Sequence, residues 1–343
     1  MKSSSSSRRC AQQRLIGNIL VPIDFSEGSL AAMTAGQRLA QKFGAKIHLA
    51  NVQEYPCPGV DSGAAVAGAA IIDLEKERQS AQLLLLQLRK KHRLTGTCRS
   101  EFANAAFEML CRIAAEIPAD LIVTSTRGRT GLKRVLLGST AERLVQYAPC
   151  PVFVNHWAKS NGETERDIKN IVVPLDFTDC SLAGLRYAVR FARKLGARII
   201  LLHIIDLGPV MMTTGYGDYD SSAYVEAARR RCGDQLQAFV GRVSFGDVPV
   251  ETSAVAGFCP GSIYEIAAKE RADLIIMSTH GRTGLRHVLL GSVAERTVRN
   301  AACPVLVVPS FSHARKELEN CGRPASKSMT RLRIVRPEHK KCA

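Results

Sequence analysis

Residues Val21-Pro22-Ile23-Asp24-Phe25 return as Val173-Pro174-Leu175-Asp176-Phe177 about 152 residues later, and the same offset lays much of the chain onto itself. Gly128-Arg129-Thr130-Gly131-Leu132 matches Gly281-Arg282-Thr283-Gly284-Leu285. Val135-Leu136-Leu137-Gly138-Ser139 matches Val288-Leu289-Leu290-Gly291-Ser292, and Cys150-Pro151-Val152 matches Cys303-Pro304-Val305. A repeat of this length implies two copies of one fold arranged end to end. The 343 residues suit two domains of about 150 residues better than one core.

The expected boundaries follow from composition. Residues 1–16 form a disordered basic N-terminus, 17–155 the first domain, 156–168 a polar linker, 169–309 the second domain and 310–343 a disordered basic tail. Within the second copy, β-branched runs at Asn170–Val173, Arg198–Ile205, Val248–Ala254, Leu274–Met277 and Val305–Val308 predict five strands. Helical stretches at Leu182–Lys194, Tyr224–Arg242, Ile263–Glu270 and Ser292–Arg299 separate them. Alternating strands and helices give an α/β class. Each copy is expected to be a doubly wound, five-stranded, mainly parallel sheet in the order 3-2-1-4-5, with helices on both faces. Ligands of such sheets sit beyond the strand carboxyl ends where the winding reverses.

Composition excludes several classes. Forty-six per cent hydrophobic and 23% charged residues fit a packed soluble chain rather than a disordered one. The apolar run Leu83–Leu86 is too short to span a bilayer, and the serine–arginine opening has no secretory apolar stretch, so a cytoplasmic location is expected with no membrane partner. The cysteines, odd in number at 11, form no CxxC pair or Cys/His cluster and read as reduced thiols. No metal ligands are assigned.

The net charge of +16 is concentrated in the tails. Residues 1–16 supply +4 through Lys2, Arg8, Arg9 and Arg14, and residues 310–343 supply +6. Such tails can hold polyanions, but most basic runs are solvated ends, so nucleic-acid binding through them is the lesser reading.

The chemistry concentrates at two places in each copy. One is the Asp24 or Asp176 turn after strand one. The other is the Gly-rich segment after strand four: Ser125-Thr126-Arg127-Gly128, nine residues, then Gly138-Ser139, and Ser278-Thr279-His280-Gly281, nine residues, then Gly291-Ser292. Glycines admit close approach of an anion and left-handed backbone, and a helix N-terminus favours phosphate. Ser139 with Glu142, and Ser292 with Glu295, also read as capping boxes that any helix could use. The identical Gly-rich segment in both copies is longer than a cap needs. Together with an aspartate across the crevice, it favours a nucleotide.

These residues resemble the universal stress protein family, whose nucleotide-binding members carry GxxG, nine residues, then Gly-Ser or Gly-Thr. The resemblance covers nearly all of the chain outside the tails and linker. It implies ATP or a related adenine nucleotide, with magnesium an optional companion, in a stress-response regulator. Asp24 and Asp176 would meet the adenosine end. Gly128, Gly131 and Gly138, or Gly281, Gly284 and Gly291, would line the phosphates, and Ser139 and Ser292 would donate to them. Arg129 and Arg282 would add charge, and Pro22, Pro174, Met277 and Val293 complete the implied cofactor-binding set.

Departures are visible. Ser125 and Ser278 stand where the family has its first glycine, which requires a backbone angle that serine tolerates. Before helix three, the second copy keeps Gly257-Phe258-Cys259-Pro260 whereas the first has Asn104-Ala105-Ala106-Phe107. The second domain is therefore expected to bind nucleotide and the first more weakly or not at all. By the same resemblance, the short apolar strand five of each copy pairs the two domains into a pseudo-dimer within one molecule, with homo-oligomers as a further option.

Other chemistries lack their residues. GxxxxGK[ST], GxGxxG, HxGH and SGGxD are absent. His280 faces Arg127 in the other copy, so no shared base exists there. Cys150 and Cys303 read as core packing, and His203, opposite Asn51 in the first copy, as a packing residue without chemistry. No catalytic residue is assigned, and slow ATP hydrolysis is the most that is expected. The rival from another class is a nucleotide-independent interaction module on the same fold.

Overall fold

The computed structural model describes residues 14–55, 64–126, 137–156, 167–206, 221–257, 259, 261–279, 291–309 and 331–334. The chain divides into two compact units, one spanning Gln13–Trp157 and the other built on Ala158–Ala343. In the first unit, β1 (Asn18–Pro22), α1 (Glu27–Phe43), β2 (Lys46–Glu54), α2 (Ala64–Lys91) and β3 (Cys98–Ala103) are followed by α3 (Ala106–Glu116), β4 (Leu121–Ser125), α4 (Ser139–Tyr147) and β5 (Val152–Asn155). The second unit begins β6 (Asn170–Leu175), α5 (Asp179–Leu195), β7 (Arg198–Asp206), α6 (Ser221–Val240) and β8 (Val250–Gly257). It continues α7 (Gly261–Lys269), β9 (Leu274–Ser278), α8 (Ser292–Asn300), β10 (Val305–Val308) and β11 (Arg331–Ile334).

The strand order is β3-β2-β1-β4-β5 in the first unit and β8-β7-β6-β9-β10 in the second, with every described ladder parallel. This is the 3-2-1-4-5 winding expected from the repeat. The second sheet carries a sixth strand: β11 pairs parallel with β8, Arg331 opposite Glu251 and Ile334 opposite Ala254. The sequence reading placed these residues in a disordered tail, so the count of five holds for the first sheet only. A four-residue alternation of arginine with leucine or isoleucine satisfies an exposed sheet edge but is too short to register as a strand signal.

Strands covered on both faces must be apolar throughout. Ile19, Leu20 and Val21 of β1 are fully buried, as are Ile171, Val172 and Val173 of β6. Helix α1 starts where the Ser26 side chain accepts from the Ser29 amide and stops at Gly44 in the left-handed region (φ 71°). Helix α5 repeats the device with Thr178 and Gly196 (φ 66°) and buries Leu185, Ala188, Phe191 and Ala192. Small residues set how closely these helices lie: a Cβ at Gly36 would stand 3.3 Å from Val21, and one at Gly184 would stand 3.6 Å from the Ser278 backbone.

Helix α1 covers β1 and β4, α2 covers β2 and β3, and α3 lies beside α4. Right-handed crossovers put α1 and α2 on one face and α3 and α4 on the other, which leaves a gap at the carboxyl end between β1 and β4. At the opposite edge the sheets are latched. Asp120 accepts from the amides of Gly17 (2.8 Å) and Asn18 (3.0 Å), and Asp273 does the same for Lys169 (2.9 Å) and Asn170 (2.8 Å). Among the described residues, no helix is long and apolar enough to cross a membrane.

Candidate functional site

At the winding reversal the ladder between the two central strands stops early, and a proline stands where it stops. The β1–β4 ladder pairs Ile19 with Leu121 and Leu20 with Ile122 and goes no further, although β1 runs on to Pro22 and β4 to Ser125. The Ile23 amide donates to Ala50 of β2 at 2.8 Å, so by alternation the nitrogen of Pro22 faces β4, where it has no hydrogen to give. The strands part there. In the second unit the β6–β9 ladder stops at Val172 and Ile275, and Pro174 holds the equivalent place. Continuing that register by two residues sets Pro174 level with Met277, the buried penultimate residue of β9.

Directly after each proline the chain makes the same turn. The Asp24 carboxylate accepts from the Ser26 amide (3.0 Å) and hydroxyl (2.5 Å), and Asp176 accepts from the Thr178 amide (3.0 Å) and hydroxyl (2.6 Å). Between carboxylate and cap stand Phe25 (φ 64°) and Phe177 (φ 65°), both in the left-handed region. A phenylalanine held there costs about 1–2 kcal/mol, so packing must enforce it. Phe177 stacks on His203 with centroids 4.3 Å apart, meets Phe239 edge-on at 5.6 Å and packs against Ile205, Cys232, Ala254 and Ala256.

Sequence reasoning missed the groups that hold this turn. His203 Nδ1 lies 2.7 Å from the Leu175 carbonyl oxygen, and Asn51 Nδ2 donates to the Ile23 carbonyl at 2.7 Å in the first unit. Both are buried. The signal available was their shared position in the repeat, one residue type substituting for another at a common hydrogen-bonding task.

Across the crevice, the segment after β4 is pinned at its neck. The Gly138 amide donates to the Thr126 carbonyl and the Gly291 amide to the Thr279 carbonyl, both at 3.0 Å. Gly138 (φ −61°, ψ 141°) and Gly291 (φ −57°, ψ 136°) are the N-caps of α4 and α8, and neither helix start has a side-chain cap. The capping-box expectation therefore fails: Ser139 and Ser292 sit one position too late, as the first helical residues, because the glycines take the extended cap conformation. The expectation of left-handed angles also fails at these two glycines. Their φ suits any residue, and a Cβ on Gly138 would stand 3.7 Å from the Thr126 oxygen, an ordinary contact.

Ser125 and Ser278 end their strands in extended backbone, which serine tolerates, so the departure from glycine costs nothing in conformation. Ser139 and Ser292 are exposed and Val293 half-buried on the first turn. Gly128, Arg129, Gly131, Gly281, Arg282 and Gly284, like Arg127 and His280, lie outside the described residues. Of the described residues, Pro22 and Asp24 lie at the carboxyl end of β1 and Gly138 and Ser139 at the start of α4, while Pro174 and Asp176 lie at the carboxyl end of β6, Met277 near that of β9, and Gly291, Ser292 and Val293 begin α8.

The two copies differ at helix three. In the first, Glu54 Oε1 accepts from the Ala106 amide at 3.0 Å, putting a carboxylate on the N-terminus of α3. In the second, a Cβ on Gly257 would stand 2.3 Å from the Ser262 hydroxyl, which would have to turn away to admit a larger residue. The cysteines before strand five are poor nucleophiles: burial raises the thiol of Cys150 strongly and that of Cys303 to about 12. Among the described residues, no group of three or more His, Cys, Asp or Glu side chains could hold a metal ion.

The model of the universal stress protein family matches residues 16–156 and again 167–309. A universal stress protein of Methanocaldococcus jannaschii is 35% identical over 148 residues, which is 43% of this chain and 85% of the relative. One of Mycolicibacterium smegmatis is 28% identical over 300 residues, 84% of this chain and 96% of the relative. Among solved structures, a universal stress protein from Archaeoglobus fulgidus shares the fold with a TM-score of 0.60 at 17% identity, covering 88% of this chain and all (100%) of that one.

Proposed function

The chain belongs to the universal stress protein family, and from that premise we propose that it is a cytoplasmic stress-response regulator that binds an adenine nucleotide, ATP or a close relative, in the crevice of its second unit. The observation that carries this reading is the start of α8. Its N-cap is a glycine that needs neither left-handed backbone nor a side-chain cap, and it opens onto the gap where β6 and β9 part. The first-turn amides of a helix have no partner within the helix and carry the positive end of its dipole. A phosphate group satisfies both, and a glycine at that place lets it come close.

The remaining residues fit the rest of such a ligand. Asp176 and Pro174, at the carboxyl end of β6, would suit the ribose and base, and Met277 and Val293 would border a purine. Gly281, Arg282 and Gly284 would wrap the phosphates, and a magnesium ion would share their charge.

The first unit has the same crevice with Asp24, Pro22, Gly138 and Ser139, and Gly128, Arg129 and Gly131 in its loop. The Glu54 carboxylate on the α3 N-terminus supplies a negative charge to the same edge of that sheet, which opposes an anionic ligand. The first unit is therefore the weaker binder.

The test is direct. The chain, purified without added ligand, is denatured and its released nucleotide identified by chromatography, and ATP binding is measured by titration calorimetry for wild type and Gly291→Val. One tight equivalent in the wild type and its loss in the variant are expected. Release of nothing, with no ATP binding at millimolar concentration, would mean that the loop only shapes the fold of a nucleotide-independent interaction module.

A further inference from the structure

We infer that His203 positions Asp176 for the nucleotide, and that Asn51 performs the same task for Asp24. The inference rests on the nucleotide reading above and names the residue on which that site's geometry depends.

His203 acts on both neighbours of the aspartate. Its Nδ1 is 2.7 Å from the carbonyl oxygen of Leu175, the residue before Asp176. An oxygen at that distance requires a proton on Nδ1, which fixes the ring as a donor there. The imidazole face stacks at 4.3 Å and 30° on the ring of Phe177, the residue after Asp176. Phe177 is in turn the strained residue of the turn, at φ 65°. One buried side chain thus fixes the peptide entering Asp176 and the ring leaving it.

Such a clamp decides where the carboxylate points. Releasing the Leu175 carbonyl lets Phe177 relax toward negative φ and rotates Asp176 away from the crevice. The first unit reaches the same geometry with a different residue. Asn51 Nδ2 donates to the Ile23 carbonyl at 2.7 Å, Phe25 keeps φ 64°, and Asn51 Oδ1 is held by Gln53 at 3.3 Å and Ser100 at 3.4 Å. Two chemically distinct donors on equivalent strands, aimed at equivalent carbonyls, point to the donation itself as the shared requirement.

The experiment measures ATP affinity by calorimetry on the full chain for wild type, His203→Asn, His203→Leu and Asp176→Asn, and for His203→Leu combined with Asp176→Asn. The asparagine variant, which copies the first unit's solution, is expected within about twofold of wild type. The leucine variant loses about tenfold, and in the Asp176→Asn background it adds no further loss, because a residue acting through Asp176 has nothing left to position. His203→Gln, whose donor is displaced by one methylene, gives the same comparison should the leucine variant fail to fold. Wild-type affinity in the leucine or glutamine variant, or losses that add fully in the double variant, overturn the inference and leave the nucleotide reading intact. A wild-type chain that takes up no ATP overturns both.

Discussion

The amide of Gly138 donates to the carbonyl of Thr126 at 3.0 Å, and the backbone of Gly138 at φ −61° and ψ 141° is one that any residue can adopt. Its counterpart Gly291 repeats the bond to Thr279. The backbone angles thus do not demand glycine in either copy, and on the nucleotide reading its use would serve the close approach of a phosphate. Gly138→Ala and Gly291→Ala should each change stability by less than about 1 kcal/mol, the span expected for an N-cap substitution. Gly291→Ala should still weaken ATP binding by about tenfold or more. Thermal unfolding and calorimetry on the same samples check both halves; a large loss of stability would give the glycine a structural role instead.

Phe177 offers a sign test of backbone strain. Replacing a residue by glycine usually destabilises by about 0.5–1 kcal/mol more than replacing it by alanine. At φ 65° the order should invert. Phe177→Ala loses the ring's packing on His203 and Phe239, about 2 kcal/mol for a half-buried aromatic, and keeps the strained Cβ. Phe177→Gly loses the same packing but relieves about 1 kcal/mol of strain. Denaturant unfolding should find the glycine variant the more stable of the two, and Phe25 should behave likewise.

How far the sequence carried the fold can be read from particular residues. The recurrence of Pro22 and Asp24 at Pro174 and Asp176 located strand one and its turn, because a proline ending an apolar run followed by an aspartate is a strong local signal. The strand order followed from alternation and handedness. The identity of the α4 and α8 caps did not follow, since Gly138-Ser139 allows either residue to cap and only the backbone angles decide. The left-handed phenylalanines left no trace in sequence, because aromatic residues are not expected there. The work of His203 was equally hidden: its partner Leu175 lies on a neighbouring strand, and the contact arises from the β6–β7 register.

The carboxylates at the amino end of the sheets carry stability rather than function. Asp273 accepts from two consecutive backbone amides, and its loss leaves both without that acceptor. Asp273→Ala should cost about 2 kcal/mol, the range for hydrogen bonds to a charged group that is partly exposed. Asp273→Asn, which keeps one acceptor oxygen, should cost less. Asp120 makes the same pair of bonds, so its variants should follow the same order. Nucleotide affinity, measured alongside thermal unfolding, should be unchanged by either, since both lie at the opposite end of the strands from the crevice.

His156, just after β5, gives the first unit a source of acid sensitivity. Its Nε2 is buried without a hydrogen-bond partner among the described residues, and burial lowers its pKa from the ordinary 6.5 to about 4. The folded state therefore takes up a proton later than the unfolded chain as pH falls. Above pH 6.5 the residue is neutral in both states and imposes no penalty. Between pH 6.5 and about 4 the unfolded state is protonated first and stability declines, by at most about 3 kcal/mol for a difference of this size. Replacing the group with one that does not titrate removes that decline without touching the carboxylates. His156→Leu should accordingly hold its denaturant midpoint across this range while the wild type loses its own, and parallel slopes in the two proteins would place the acid sensitivity in other groups.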